Sequence, residues 1–151
     1  MRCARRSTES DAGSASLEFL TVGLLLLIPL VYLVLAVASL QGAALAVEGA
    51  ARHAARVFVQ QGSVDEAEAA AERAISVTLA DYGVSADAAT VAIICEPRPD
   101  DCLTRRGFVT VRVDAVAALP LMPALPGLDV PAGVTMSASS TAHVSRFRVD
   151  R

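Results

Sequence analysis

Residues Phe19–Leu40 read FLTVGLLLLIPLVYLVLAVASL, 22 consecutive positions without a charged side chain. At about 1.5 Å per residue, a helix of this length measures roughly 33 Å, enough to cross a hydrocarbon layer of about 30 Å. Only a helix satisfies its own backbone polar groups in that medium, so the stretch predicts one bilayer-spanning helix. Pro29 stands in mid-span, donates no backbone hydrogen bond and predicts a kink or a loosened turn. Arg2, Arg5 and Arg6 precede the span and the next arginine is Arg52. Basic residues mark the inner side, which places the N-terminus in the cytoplasm and residues 41–151 outside.

A secretory signal peptide is the competing reading. It shares the basic start and the apolar stretch, and Ala36-Val37-Ala38 has the small-x-small pattern of a cleavage site. Release after Ala38 would make this a secreted domain. The apolar run exceeds the roughly 7–15 residues of a signal-peptide core, however, and helical periodicity continues through the supposed cut. Ala44, Leu45, Val47, Ala51, Ala54, Ala55 and Phe58 recur at spacings of three and four. Glu48, Arg52 and Arg56 form an i, i+4, i+8 stripe on another face. One long helix, half in the membrane and half amphipathic, accounts for both patterns.

The whole chain has 151 residues, 54% apolar and 19% charged, which excludes disorder over its length. Its 13 basic residues are all arginine and are outnumbered by 16 acidic ones, for a net charge of −3. That balance supplies no basic face for phosphates, and 4% aromatics without tryptophan supply no base-stacking platform. A nucleic-acid partner is not expected.

Beyond the long helix, Ser63 and Glu66 form a capping box at the start of a helix over about 64–82. Ala67, Ala70, Ala71, Ala74, Ile75, Thr78, Leu79 and Tyr82 keep helical spacing, and Gly83 follows as a terminator. Its charges read as a solvated face in preference to an interaction face. Val91–Cys95 is a short apolar run bounded by a proline-containing break, and Phe108–Val116 alternates with Val109, Val111 and Val113 on one side and Thr110, Arg112 and Asp114 on the other. A third alternating stretch, Val134–Val149, carries Met136, Ala138, Ala142 and Val144 on one side. Leu119–Gly133 holds Pro120, Pro123, Pro126 and Pro131, a long loop that serves either as a docking surface or as a rigid connector over the sheet. The expected class is α+β: a long N-terminal helix, a second helix, and a small antiparallel sheet of about three strands.

Cys95 and Cys102 enclose six residues, EPRPDD. Outside the membrane they would pair; the alternative, a metal site, has only half the ligands zinc requires. His53 and His143 lie on different predicted elements, and no nucleophile elbow, phosphate-cradling loop or His-Glu-x-x-His pattern occurs. Asp100 and Asp101 are adjacent and do not face one another as a general acid–base pair would. No enzyme, cofactor or metal is expected.

Just before the span the chain reads Gly13-Ser14-Ala15-Ser16-Leu17-Glu18-Phe19. A lone Glu at the edge of a membrane segment is costly and needs a partner or a purpose. A small residue, then a Glu five positions after it, then a long apolar helix resembles a prepilin. The segment GSASLEF, the mid-span Pro29 and AARHAARVF at residues 50–58 together resemble the TadE-like family of minor pilins and pseudopilins of tight-adherence (Flp-type) pilus systems. The resemblance covers residues 13–59, about a third of the chain.

The resemblance implies a cytoplasmic leader, residues 1–13, removed by a membrane-embedded prepilin peptidase that cuts between Gly13 and Ser14. Cys3 would leave with it. Residues 14–40 would then be the transmembrane helix and residues 41–151 the extracytoplasmic domain. Glu18, fifth in the processed chain, would pair with a subunit N-terminal amine during assembly; the plainer reading sets it in the headgroup region near a helix N-terminus. Implied partners are the lipid bilayer, other pilins or pseudopilins and an inner-membrane assembly platform, with Gly42, Ala43, Ala46, Gly49 and Ala50 giving close helix-on-helix approach. Against this stands a single-pass membrane protein whose external domain binds a partner and never polymerises.

Overall fold

A computed structural model describes residues 14–87, 89–120 and 133–148. The elements run α1 (Ser14–Phe58), α2 (Val64–Asp81), β1 (Thr90–Glu96), β2 (Phe108–Ala118) and β3 (Gly133–His143). The class is α+β: a long helix, a second helix and a three-stranded sheet. The chain divides into two units, residues 1–35 and 36–151.

The described part of the first unit is α1 alone. Its apolar side chains from Leu17 to Leu35 are exposed, and none of its most apolar window is covered by protein. A helix apolar on every side with nothing packed on it is not stable in water. Among the described residues α1 is the one helix long and apolar enough to cross a membrane. It continues helically through Pro29. Thr21 Oγ1 donates to the Leu17 carbonyl at 2.7 Å, a back-bond that satisfies a hydroxyl within the helix itself.

The second unit is a two-layer domain. From Ala43 onward α1 presents Ala46, Val47, Ala50, Ala54 and Phe58 to a core completed by Ala67, Ala71, Ile75 and Leu79 of α2 and by one face of β2. The buried face differs from the expected one at its start. Ala44 and Leu45 are exposed, and burial begins at Ala43. Alanine-rich helices present several equivalent stripes, and the partner surface selects among them.

α2 begins as its sequence predicts: the Ser63 hydroxyl accepts from the Glu66 N–H at 3.3 Å. It ends in paired hydrogen bonds, Gly83 N–H to the Ala80 carbonyl at 2.9 Å and Val84 N–H to the Leu79 carbonyl at 3.0 Å. Gly83 takes φ +69°, open to glycine without strain, and Val84 folds back onto buried Leu79. Tyr82, expected on the packed face, is half exposed instead because the helix has already ended.

The sheet order is β1-β2-β3, antiparallel throughout. Val109, Val111, Val113, Ala115 and Ala117 of the central strand are buried, as alternation predicts. β3 is shorter than the expected 134–149. Its His143 pairs with Phe108, the first residue of β2, so the ladder has no partner beyond that point. Val144 N–H turns instead to the Gly107 carbonyl at 2.9 Å, and Arg148 Nη2 reaches the Gly62 carbonyl at 2.9 Å.

Candidate functional site

Glu18 sits on α1 five residues from Gly13, on the exposed surface and immediately before the charge-free run. It has no hydrogen bond or ion pair with any described residue. Four residues of helix rise, about 6 Å, separate its backbone from that of Ser14. Gly13 lies outside the described residues, as do Pro123, Pro126 and Pro131 of the expected proline-rich loop. Of that loop only its flanks, Leu119–Pro120 and Gly133, are described.

The small residues expected to serve contact between subunits have another task. Ala43, Ala46 and Ala50 are buried in the domain's own core. Gly42 faces Tyr82, and a Cβ at Gly49 would meet Thr78 Cγ2 of α2 at 3.5 Å. Their size lets α1 lie close to α2 within one chain. Close packing by alanine looks the same in sequence whether the neighbour is the same chain or another.

On the outer face of α1, Arg52 pairs with Glu48 one turn earlier, as the spacing predicts. Both side chains are well exposed, so the pair contributes little to stability. His53 is exposed between Arg52 and Arg56. His143 stacks edge-on against Phe108, centroids 5.1 Å apart, on the outer face of the sheet. The two histidines share no site, and no cluster of metal-ligating side chains exists among the described residues.

Cys95 and Cys102 form a disulfide, with Cα atoms 4.9 Å apart. It closes the segment that follows β1, and Cys95 is buried against the core. Thr104 adds a second tie, its hydroxyl bonding Asp101 through both the backbone carbonyl at 2.9 Å and the carboxylate at 2.7 Å.

Comparison with protein-family models, curated proteins and solved structures finds no match to this chain.

Two features of the domain come into view only with the fold. The first is an ion pair within β2. Arg112 Nε donates to Asp114 Oδ2 at 3.1 Å on the outer face of the sheet. The Arg112 guanidinium, helped by a hydrogen bond from Ser137, holds the Asp114 carboxyl below the ordinary carboxylate range. The second is a groove at the end of the domain where α1 enters it, between Ser39 and Gly42 of α1, Tyr82 and Val84 after α2, and Ala118 at the end of β2. Alternation already sets Arg112 and Asp114 together on the polar side of β2; that the two side chains pair is seen only in the fold.

Proposed function

We propose that the chain is a structural subunit of the minor pilin or pseudopilin kind, held in the membrane by α1 and processed by a prepilin peptidase between Gly13 and Ser14. The carrying observation is Glu18: a carboxylate at the fifth position after a small-residue junction, on a long apolar helix, with no partner among the described residues of its own chain. A carboxylate and an ammonium attract strongly in a low-dielectric setting, and each relieves the other's unpaired burial. In assembly, the N-terminal amine of another subunit supplies that ammonium. The N-terminus lies in the cytoplasm and the domain outside, with the assembly platform and other pilins as partners.

The uncovered half of α1 supports this reading further. Its apolar surface suits a lipid environment first and the packed helices of a filament afterwards. Contacts between subunits therefore fall on residues 14–35, since the alanine face further along is already occupied.

The test is the intact mass and N-terminal sequence of the membrane-extracted protein, with and without its prepilin peptidase. A peptidase-dependent start at Ser14 supports the proposal, and Glu18→Ala then inserts into the membrane yet fails to enter filaments. An unprocessed N-terminus in both samples would make the chain a permanent single-pass membrane protein with an external binding domain.

A further inference from the structure

The groove at the α1-entry end of the domain is bordered by small and apolar residues, and none of the residues that line it is charged. Its volume is about 330 Å3. Ser39 Oγ donates to the Ala118 carbonyl at 3.5 Å across it, and Tyr82 stands on its rim, 51% exposed. The Tyr82 hydroxyl has no hydrogen bond with any described residue. Exposed Asp81 and Asp87 flank the groove's Tyr82–Ser85 segment, and the arginines gather at the opposite end, where Arg98, Arg105 and Arg106 follow β1 and Arg148 bonds the α1–α2 connection.

Helix rise sets the depth of the groove. The charges that bound the apolar part of α1 are Glu18 and Glu48, so the uncharged run continues past Leu40 to Val47. A hydrocarbon layer of about 30 Å consumes roughly 20 residues, from Phe19 to about Ala38. The headgroup layer adds about 5–7 Å on each side, roughly four or five residues more, which are Ser39–Ala43. Of these, Ser39, Gly42 and Ala43 line the groove, and Ala43 opens the domain's core.

We propose that this groove-bearing end of the domain is a lipid-contacting surface, covered by the headgroup–acyl boundary of a phospholipid bilayer and anchored by Tyr82. The inference rests on reading Phe19–Leu40 as a membrane span. A tyrosine ring is amphipathic, with an apolar body for the acyl boundary and a hydroxyl for the headgroups. On this reading Ser39 and Gly42 lie at headgroup depth and bring the groove they line to that boundary, with Asp81 and Asp87 beside it among the polar headgroups.

The chain has no tryptophan, so single replacements report without background. Tyr82→Trp, Phe147→Trp on the arginine-bearing end and Leu26→Trp in mid-span would each be placed in the full chain. Each variant is reconstituted in phosphatidylcholine vesicles, with or without bromine on the acyl carbons, nearest the headgroup for Tyr82→Trp and Phe147→Trp and near the chain ends for Leu26→Trp. The expected result is a blue-shifted Tyr82→Trp emission that loses intensity in brominated vesicles, while Phe147→Trp emits as in water and is unaffected. Water-like, unquenched Tyr82→Trp emission beside a quenched Leu26→Trp would overturn the proposal and leave the span reading intact. A blue shift without bromine quenching would overturn it by assigning the groove to a protein occupant. If Leu26→Trp is also unquenched, the span reading fails and the proposal falls with it.

Discussion

Reducing the Cys95–Cys102 bond tests whether the external domain depends on a covalent tie for its stability. The bond closes a loop of eight residues, counting both cysteines. In the chain-entropy treatment, a loop of that size restricts the unfolded state by about 2.5 kcal/mol at 25 °C. A domain the size of residues 36–151 unfolds with an entropy near 2.1 cal/mol/K per residue, so the loss corresponds to a fall in Tm of about 10 °C. Calorimetry of the detergent-solubilised full chain, with and without reductant, reads the difference directly. Reduction is a cleaner perturbation than substitution, because Cys95 is buried and an alanine there would also remove core contacts. The Cys95→Ala/Cys102→Ala variant serves as the control, and reductant should leave its transition unmoved. A fall below about 3 °C would refute the entropic argument. It would mean that residual structure already restricts the Cys95–Cys102 segment in the unfolded chain.

Asp114→Asn should lower the thermal midpoint at neutral pH and lose that effect in acid. The native pKa of Asp114 is depressed, so its contribution is fully present above its unfolded value of about 4 and disappears as pH falls through the lower native value. Midpoints of variant and parent measured from pH 7 down to pH 2 should converge, and a constant gap would refute the assignment. Gly83→Ala should cost about 1–2 kcal/mol through backbone strain alone, since a Cβ there meets nothing within 4 Å; denaturant unfolding reads it as a lower midpoint at unchanged slope. Two α1 substitutions separate folding from assembly. Ala50→Leu overpacks the core and should destabilise the domain by about 1–3 kcal/mol, whereas Gly23→Leu, in open space, should leave thermal unfolding unchanged and reduce incorporation into filaments. The converse pattern would place the helix contacts between subunits on the alanine face.

Elements whose signals are local are legible in the residues themselves. The uncharged run announces α1, Ser63 and Glu66 announce the start of α2, and the valines of β2 announce a half-buried strand. What depends on a partner is not legible in this way. Ala43 and Ala44 differ in nothing but the surface they meet, and only packing buries one and exposes the other. The end of β3 at His143 is decided by where β2 begins, not by any residue of β3. The candidate site divides along the same line. The position of Glu18 is legible from its spacing to Gly13 and to the apolar run, whereas the burial of Ala46 and Ala50 within the chain removes a surface that their small size alone would assign to neighbours.

On the membrane-span reading α1 belongs to two solvents, and this bears on what the rest of the chain must do. From Phe19 to Leu35 the large aliphatic side chains are exposed all around the helix, which suits an apolar surrounding better than water. From Ala43 to Phe58 only one face is apolar, and α2 with the sheet covers that face. The domain thus completes its own core without help from a second copy, and it would be folded while the helix is still in the bilayer. In the proposed pilin-like role, a subunit built this way would exchange lipid for protein along residues 14–35 without unfolding anything. Apolar packing there gains little over lipid, because acyl chains are as apolar as leucine side chains. The direction and register of such an exchange must come from a polar group, and Glu18 is the one charged side chain that the described helix offers before Glu48. Its replacement should therefore alter where subunits stop along one another more than how tightly they hold.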